Sequence, residues 1–65
     1  QPKPELAEIY SSLGSVLSQS GRFAESVAMH RAALELLPDD PLMHYQLGNA
    51  YRRINDLHRA LLSLR

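Results

Sequence analysis

The chain has 65 residues, seven basic and seven acidic side chains, and a formal net charge of zero. This balance provides no excess of positive charge for binding nucleic acid or an anionic membrane. The absence of cysteine excludes a disulfide framework. No apolar run approaches the ~20 residues that span a bilayer. Because the chain begins at Gln1 and not at a methionine, we expect it to be one small piece of a longer protein. The lack of cysteine fits a reducing compartment, and we expect this compartment to be the cytoplasm.

The first two predicted helices follow from apolar residues at three- and four-residue steps. Pro4 suits the first turn of the first helix, and Ser20-Gly21 should close it, because glycine readily adopts the left-handed conformation. Pro38 should end the second helix. The stripe of the first helix is Leu6, Ile9, Tyr10, Leu13, Val16 and Leu17, and that of the second is Phe23, Val27, His30, Ala33, Leu34 and Leu37.

The third and fourth predicted helices repeat this arrangement. Asp39 or Asp40 can cap the third helix, with Pro41 at its first position. Asn55-Asp56 falls 34 residues after Gly21-Arg22, and asparagine can form a similar left-handed turn. The stripe of the third helix is Met43, Leu47, Ala50, Tyr51 and Ile54, and that of the fourth, unfinished helix is Leu57, Ala60, Leu61 and Leu64.

A 34-residue internal repeat relates the two halves of the chain. The Leu13-Gly14 pair recurs as Leu47-Gly48 at this interval. Glycine costs about 1 kcal/mol relative to alanine inside a helix, so its recurrence indicates a shared packing requirement. Short joints make neighbouring helices antiparallel, and a period of this size is typical of a solenoid.

The repeat resembles the tetratricopeptide repeat, a unit of two antiparallel helices. The first copy carries the family pattern at Tyr10, Leu13, Gly14, Leu17, Gly21, Phe23, Ala33 and Pro38, and the second at Leu47, Gly48, Tyr51, Asp56, Leu57 and Ala60. Departures are Ser26 in place of alanine, His30 and His44 in place of aromatic residues, and Asn55 in place of glycine.

This resemblance implies an all-α, right-handed solenoid of about two repeats and four helices. Residues 1–6 would form a lead-in, 7–40 the first repeat and 41–65 a second repeat truncated in its second helix. The glycine of each first helix would face the small residue of the second, which pairs Gly14 with Ser26 and Gly48 with Ala60. The packing residues implied are Leu13, Gly14, Ser26, Ala33, Pro38, Leu47, Gly48, Tyr51 and Ala60.

Candidate catalytic and metal-binding residues are present but do not form a recognisable site. His30, His44 and His58 are spaced by 14 residues, but each interval crosses a joint, so the spacing does not place them on one face. A metal site normally needs three or four converging ligands, and the serines lack a nucleophile elbow. We therefore predict no enzyme, no metal and no cofactor; His30 and His44 can instead touch in a packing contact.

A polar strip on the first helix of each repeat is the candidate binding surface. In the family this helix lines a concave groove that binds peptides. The groove residues implied are Ser11, Ser15, Tyr45, Asn49 and Arg52. Asn49 fits the clamp that some members use for chaperone C-terminal tails, but serines replace its lysine and first asparagine. The cluster Arg52, Arg53 and Arg59 either pairs locally with Asp56 or clamps an acidic peptide or carboxylate.

The sequence thus predicts a protein–protein interaction module that displays a groove to a peptide or helix of a partner. One alternative is a regulatory or substrate-positioning array fused to an enzyme such as a glycosyltransferase. Another is a helical-repeat RNA binder, against which the neutral charge and the 34-residue period argue. Because solenoids need about three repeats, we also expect this chain to self-associate or stack through the Leu61 and Leu64 side of its last helix.

Overall fold

The computed structural model describes residues 4–63, which form three helices and no strand. Helix α1 spans Pro4–Gln19, α2 spans Phe23–Leu36 and α3 spans Pro41–Ser63. The all-α class agrees with the sequence pattern, whereas the prediction of four helices is wrong over the described residues. Leu64, which the sequence places in the last stripe, lies outside them.

Gly21 closes α1 in the way that the sequence predicts. Its φ of 82° places it in the left-handed region. The Arg22 N–H donates to the Leu17 carbonyl at 2.9 Å, and the Gly21 N–H donates to the Ser18 carbonyl at 3.0 Å. This pair of bonds is the Schellman motif, which satisfies carbonyls at the helix end and reverses the chain into α2.

The joint between α2 and α3 also follows its sequence signals. The Leu42 N–H donates to Asp40 Oδ1 at 2.8 Å, so Asp40 is the residue that caps α3, and Pro41 takes the first position. His44 Nε2 lies 2.6 Å from the Pro38 carbonyl oxygen, which holds the joint against the first turn of α3.

The predicted turn at Asn55-Asp56 is absent, because α3 continues through it for 23 residues. Asparagine reaches the left-handed region at a steric cost that glycine does not incur, and continuing the helix keeps the i→i−4 hydrogen bonds. Gly48 and Ala60 therefore lie on one helix. A Cβ on Gly48 would meet no described atom within 4 Å, so the predicted contact between these two residues is wrong.

Small residues, rather than the predicted apolar stripe, form the face of α1 that packs on α2. The buried residues of α1 are Ala7, Ser11, Gly14 and Ser18. The Ser26 hydroxyl of α2 donates to the Gly14 carbonyl at 2.6 Å, which confirms the predicted approach of these two residues. The His30 ring fills the remaining space beside Gly14, leaving no room there for a bulky side chain.

Four of the six side chains in the predicted apolar stripe of α1 are exposed, so the prediction that they form the core is wrong, whereas Tyr10 and Leu17 are half-buried. Leu6, Ile9, Leu13 and Val16 keep between 38% and 62% of their surface accessible. The core is instead small, and its buried apolar residues are Ala7, Val27, Ala33, Met43 and Ala50. The half-buried side chains packed against Ala7, Ala33 and Met43 are Tyr10, Leu34, Leu36 and Leu37.

Helix α3 is longer than either of the two helices, α1 and α2, on which it packs. At about 1.5 Å per residue it spans about 34 Å, against about 21 Å for α2. Met43 and Ala50 are its buried residues, while every described residue from Tyr51 onward is exposed. Ile54 and Leu57 still border the α1–α2 turn, and the last residues of α3 extend past it. None of the three helices has the length and apolar composition required to cross a membrane.

Candidate functional site

A polar groove lies between α1 and the first half of α3. Its volume is about 260 Å³. Side chains from both helices line it, and His30 of α2 lies between them. The lining residues are Ser15, Ser18, Gln19, His30, Tyr45, Gln46, Asn49, Ala50 and Arg53. The groove thus gathers hydroxyl, amide, imidazole and guanidinium groups from three helices.

Two buried polar atoms of this groove have no hydrogen-bond partner among the described residues. They are Ser18 Oγ and His30 Nδ1. Ser18 is 9% exposed and His30 is 4% exposed. An unsatisfied buried polar group costs about 1–3 kcal/mol, so these two atoms weaken the packing of the three helices beneath the groove.

Burial favours the uncharged form of His30. Burial lowers the pKa of its imidazole below the usual value of 6.5, because desolvation disfavours the charged form. A neutral imidazole offers one donor and one acceptor nitrogen. His30 therefore fills the space beside Gly14 without bringing a charge into the helix interface.

Ser11 and Gln46 tie the two walls of the groove together. The buried Ser11 hydroxyl donates to Gln46 Oε1 across the boundary between α1 and α3. This bond fixes the Gln46 side chain on the groove wall and makes Ser11 a positioning residue beneath it.

Arginines stand on the α3 side of the groove. Arg53 lines it directly, whereas Arg52 Nη2 donates to Asn49 Oδ1 at 2.8 Å and so orients the Asn49 amide. Within residues 4–63, neither arginine pairs with Asp56, and the ion pair present joins Arg22 to Glu25 at 2.7 Å. The Arg53 guanidinium therefore has no carboxylate partner among the described residues.

The structure brings most of the sequence-predicted groove residues to this place. Ser15, Tyr45 and Asn49 line the groove, Ser11 lies buried against Gln46, and Arg52 contacts it through Asn49.

Five further residues line the groove although the sequence pattern did not predict them there. They are Gln19, His30, Gln46, Ala50 and Arg53; Ser18 also lines the groove, and it continues the strip of Ser11 and Ser15 on the first helix. Most of these could have been found by extending the predicted strips three or four residues along each helix. His30 is the exception, because it comes from α2 and only packing places it in the groove.

The predicted packing residues divide between the interior and the surface. Gly14, Ser26 and Ala33 are buried and Leu47 is half-buried. The exposed members are Leu13, Pro38, Gly48, Tyr51 and Ala60. Leu13 lies on the outer side of α1 and Pro38 in the joint between α2 and α3. Gly48 is on the outer side of the packed half of α3, and Tyr51 and Ala60 are in its exposed second half.

The three histidines do not converge. His30 is buried beside Gly14, and the exposed His44 bonds to Pro38, so the two histidines do not make the packing contact that the sequence allowed. Across residues 4–63, no group of three or more histidine, aspartate or glutamate side chains is placed to hold a metal ion.

Comparison with known families adds an independent observation. A family model described as TPR repeat matches residues 14–55, about two thirds of the chain. The match begins inside α1, includes all of α2 and ends in α3. No curated protein and no solved structure matches the chain significantly.

Proposed function

The chain belongs to the tetratricopeptide repeat family, and from this premise we propose that the groove between α1 and α3 binds an extended peptide segment of a partner protein. The family is generally a non-enzymatic scaffold that mediates protein interactions. We further propose that α1, α2 and the first half of α3 form part of a solenoid in the longer protein. Its first repeat then comprises residues 7–40, and its second repeat begins at residue 41.

The observation that carries this proposal is the polar lining of the groove. Gln19, Gln46 and Asn49 line it with side-chain amide groups, and none of the three is buried, so these groups are open to a bound peptide. An extended peptide has unpaired backbone N–H and C=O groups at regular intervals, because it makes no hydrogen bonds within itself. The N–H and C=O groups of the peptide can therefore hydrogen-bond to the polar side chains that line the groove. The packed helices hold these side chains in place before the peptide binds, which reduces the entropic cost of binding.

Arg53 gives the groove a preference for acidic side chains. Its guanidinium lines the groove and has no carboxylate partner among the described residues. Arginine binds carboxylates through two parallel N–H donors, which adds geometric specificity as well as charge. Asn49, held by Arg52, lies in the same wall. We propose that an aspartate, a glutamate or a C-terminal carboxylate of the peptide contacts Arg53.

Selection from a random peptide library tests this function even though the partner is unidentified. The 65-residue chain would be immobilised and used to select from the displayed library, and the dissociation constants of selected peptides would then be measured. We expect enrichment of acidic residues. We also expect Asn49→Ala and Arg53→Ala each to weaken binding about tenfold or more, because a hydrogen bond to a charged group contributes about 1.5–3 kcal/mol.

Arg59→Ala is the matched control, because Arg59 is an exposed arginine of α3 that does not line the groove. It should leave peptide affinity unchanged, and circular dichroism should show equal helicity in all three variants. Peptides that bind Asn49→Ala and Arg53→Ala as tightly as the parent chain would show that the groove is not the binding site.

A further inference from the structure

Two exposed apolar stripes on opposite parts of the chain remain outside the groove. The outer stripe of α1 consists of Leu6, Ile9, Leu13 and Val16. The extension stripe of α3 consists of Ile54, Leu57 and Leu61. None of these residues lines the groove. Exposed apolar side chains that form a continuous stripe, rather than scattered single residues, mark an interaction surface.

The extension stripe continues a surface that already packs within the chain. Met43, Leu47 and Ala50 are buried or half-buried against the helix pair, and Ile54, Leu57 and Leu61 follow them at alternating steps of four and three residues. Apolar residues at this spacing form the seam along which two helices pack. The first half of this seam is therefore covered. In the second half, Ile54 and Leu57 border the first turn of α2 but keep 36% and 45% of their surface exposed, and Leu61 keeps 56%.

The two stripes are matched in spacing and opposite in charge. The outer stripe also advances by steps of three, four and three residues. Glu5 and Glu8 are the charged residues of α1, whereas α3 from Tyr51 to Ser63 carries Arg52, Arg53 and Arg59 against Asp56. The two helix segments thus attract each other, but two copies of the α3 extension repel.

We propose that the extension stripe of α3 docks on the outer stripe of α1 in a second copy of this chain. A two-fold axis repeats this contact, so that the extension of each copy lies on α1 of the other. The resulting dimer interface is isologous and buries both stripes of both copies. The groove stays open in this assembly, so the proposal does not depend on peptide binding.

Association of the 65-residue chain gives the first test. Sedimentation velocity at increasing concentration should show a dimer that dissociates on dilution. Ile9→Asp, in the outer stripe, and Leu57→Asp, in the extension stripe, should each weaken association about tenfold or more, because each places a charge inside an apolar contact. Both residues are exposed, so the fold of the single chain should be retained. A parent chain that stays monomeric at every concentration would overturn the proposal.

Mixing the two variants identifies the contact. Ile9→Asp keeps an intact extension stripe and Leu57→Asp keeps an intact outer stripe, so an equimolar mixture can form one native contact. We expect labelled chains of the two variants to associate with each other more tightly than either does with itself. If the extensions instead paired with each other, Ile9→Asp would dimerise like the parent, and that result would contradict the proposal.

The salt dependence of association also distinguishes docking of the α3 extension on α1 from pairing of two α3 extensions. Raising the ionic strength shortens the Debye length to about 3 Å at 1 M and screens the attraction between the acidic α1 and the basic extension. The dimer should therefore weaken as salt is added, whereas pairing between two basic extensions would strengthen. Leu42→Asp, at an exposed leucine outside both stripes, is the control and should associate like the parent.

Discussion

Gly14 and Gly48 occupy the same position in the two copies of the repeat but have different surroundings. A Cβ added to Gly14 would lie 2.7 Å from Nε2 of the buried His30. A Cβ added to Gly48 would meet no described atom within 4 Å. The same Leu-Gly pair therefore permits close helix packing in α1 and leaves a glycine without a close neighbour in α3.

We expect Gly14→Ala and Gly48→Ala to change stability in opposite directions. At Gly14 the methyl group would displace the His30 ring, and overpacking of this kind costs about 1–3 kcal/mol. At Gly48 alanine should stabilise the helix by up to about 1 kcal/mol, since it is the better helix former. Urea unfolding followed by circular dichroism measures both at equal chain concentration. Equal shifts in the two variants would contradict the role assigned to the His30 contact.

The continuity of α3 determines which residues the second repeat can bring together. Gly21 ends α1 with a positive φ and two carbonyl bonds, but no residue between Tyr51 and Ser63 has a positive φ. Leu57 consequently lies beside the α1–α2 turn and Leu61 continues the apolar seam beyond it, so neither residue folds back beside Gly48.

A distance measurement can test this single helix. The chain has no cysteine, so spin labels can be placed selectively at Gly48→Cys and Ser63→Cys, both outside the buried core. Fifteen helical residues separate these two backbone sites by about 22 Å. A turn at Asn55 would bring them to roughly the 10 Å distance of packed helices.

Double electron–electron resonance should give the longer distance for the parent, and Asn55→Ala should keep it, because alanine favours helix. Asn55→Gly should add a population at the shorter distance, because glycine adopts the turn conformation without steric cost. A parent chain that shows mainly the short distance would contradict the continuous helix.

At the scale of the whole molecule, three helices share a core of few side chains. Ala7 and Ala33 contribute little apolar surface, and Met43 is the large buried residue among them. A chain of this length buries only about 60% of its unfolded surface, so its stability is marginal. The molecule is elongated, 49 × 20 × 13 Å, and few residues pack against the exposed second half of α3.

We expect Met43→Ala to destabilise the whole chain by about 2–5 kcal/mol, because it removes the largest buried side chain of the core. That amount is comparable to the total stability of a small domain, so thermal unfolding should begin at or below room temperature. Leu42→Ala is the control at the neighbouring, exposed position and should melt close to the parent. Similar melting of both variants would show that Met43 is not central to the core.

Local signals in the sequence determined where this chain forms helices and where it first turns. Apolar spacing, the glycine at 21, the proline at 38 and the aspartate cap at 40 act over a few residues, so each could be recognised before the fold was known. The groove could be partly predicted for the same reason, since Ser15, Tyr45 and Asn49 lie at helical intervals on single helices.

Only the tertiary structure decided which helix faces are buried and whether the second turn forms. Helix α1 has one face of large apolar residues and one face of small residues, and both recur at helical spacing. The face of small residues is buried because Gly14, Ser26 and His30 fit together at a distance that bulky side chains would not allow. His30 reaches the groove from a third helix for the same reason. Asn55 can adopt either helix or turn, and in the absence of a glycine the uninterrupted hydrogen bonding of α3 favours the helix.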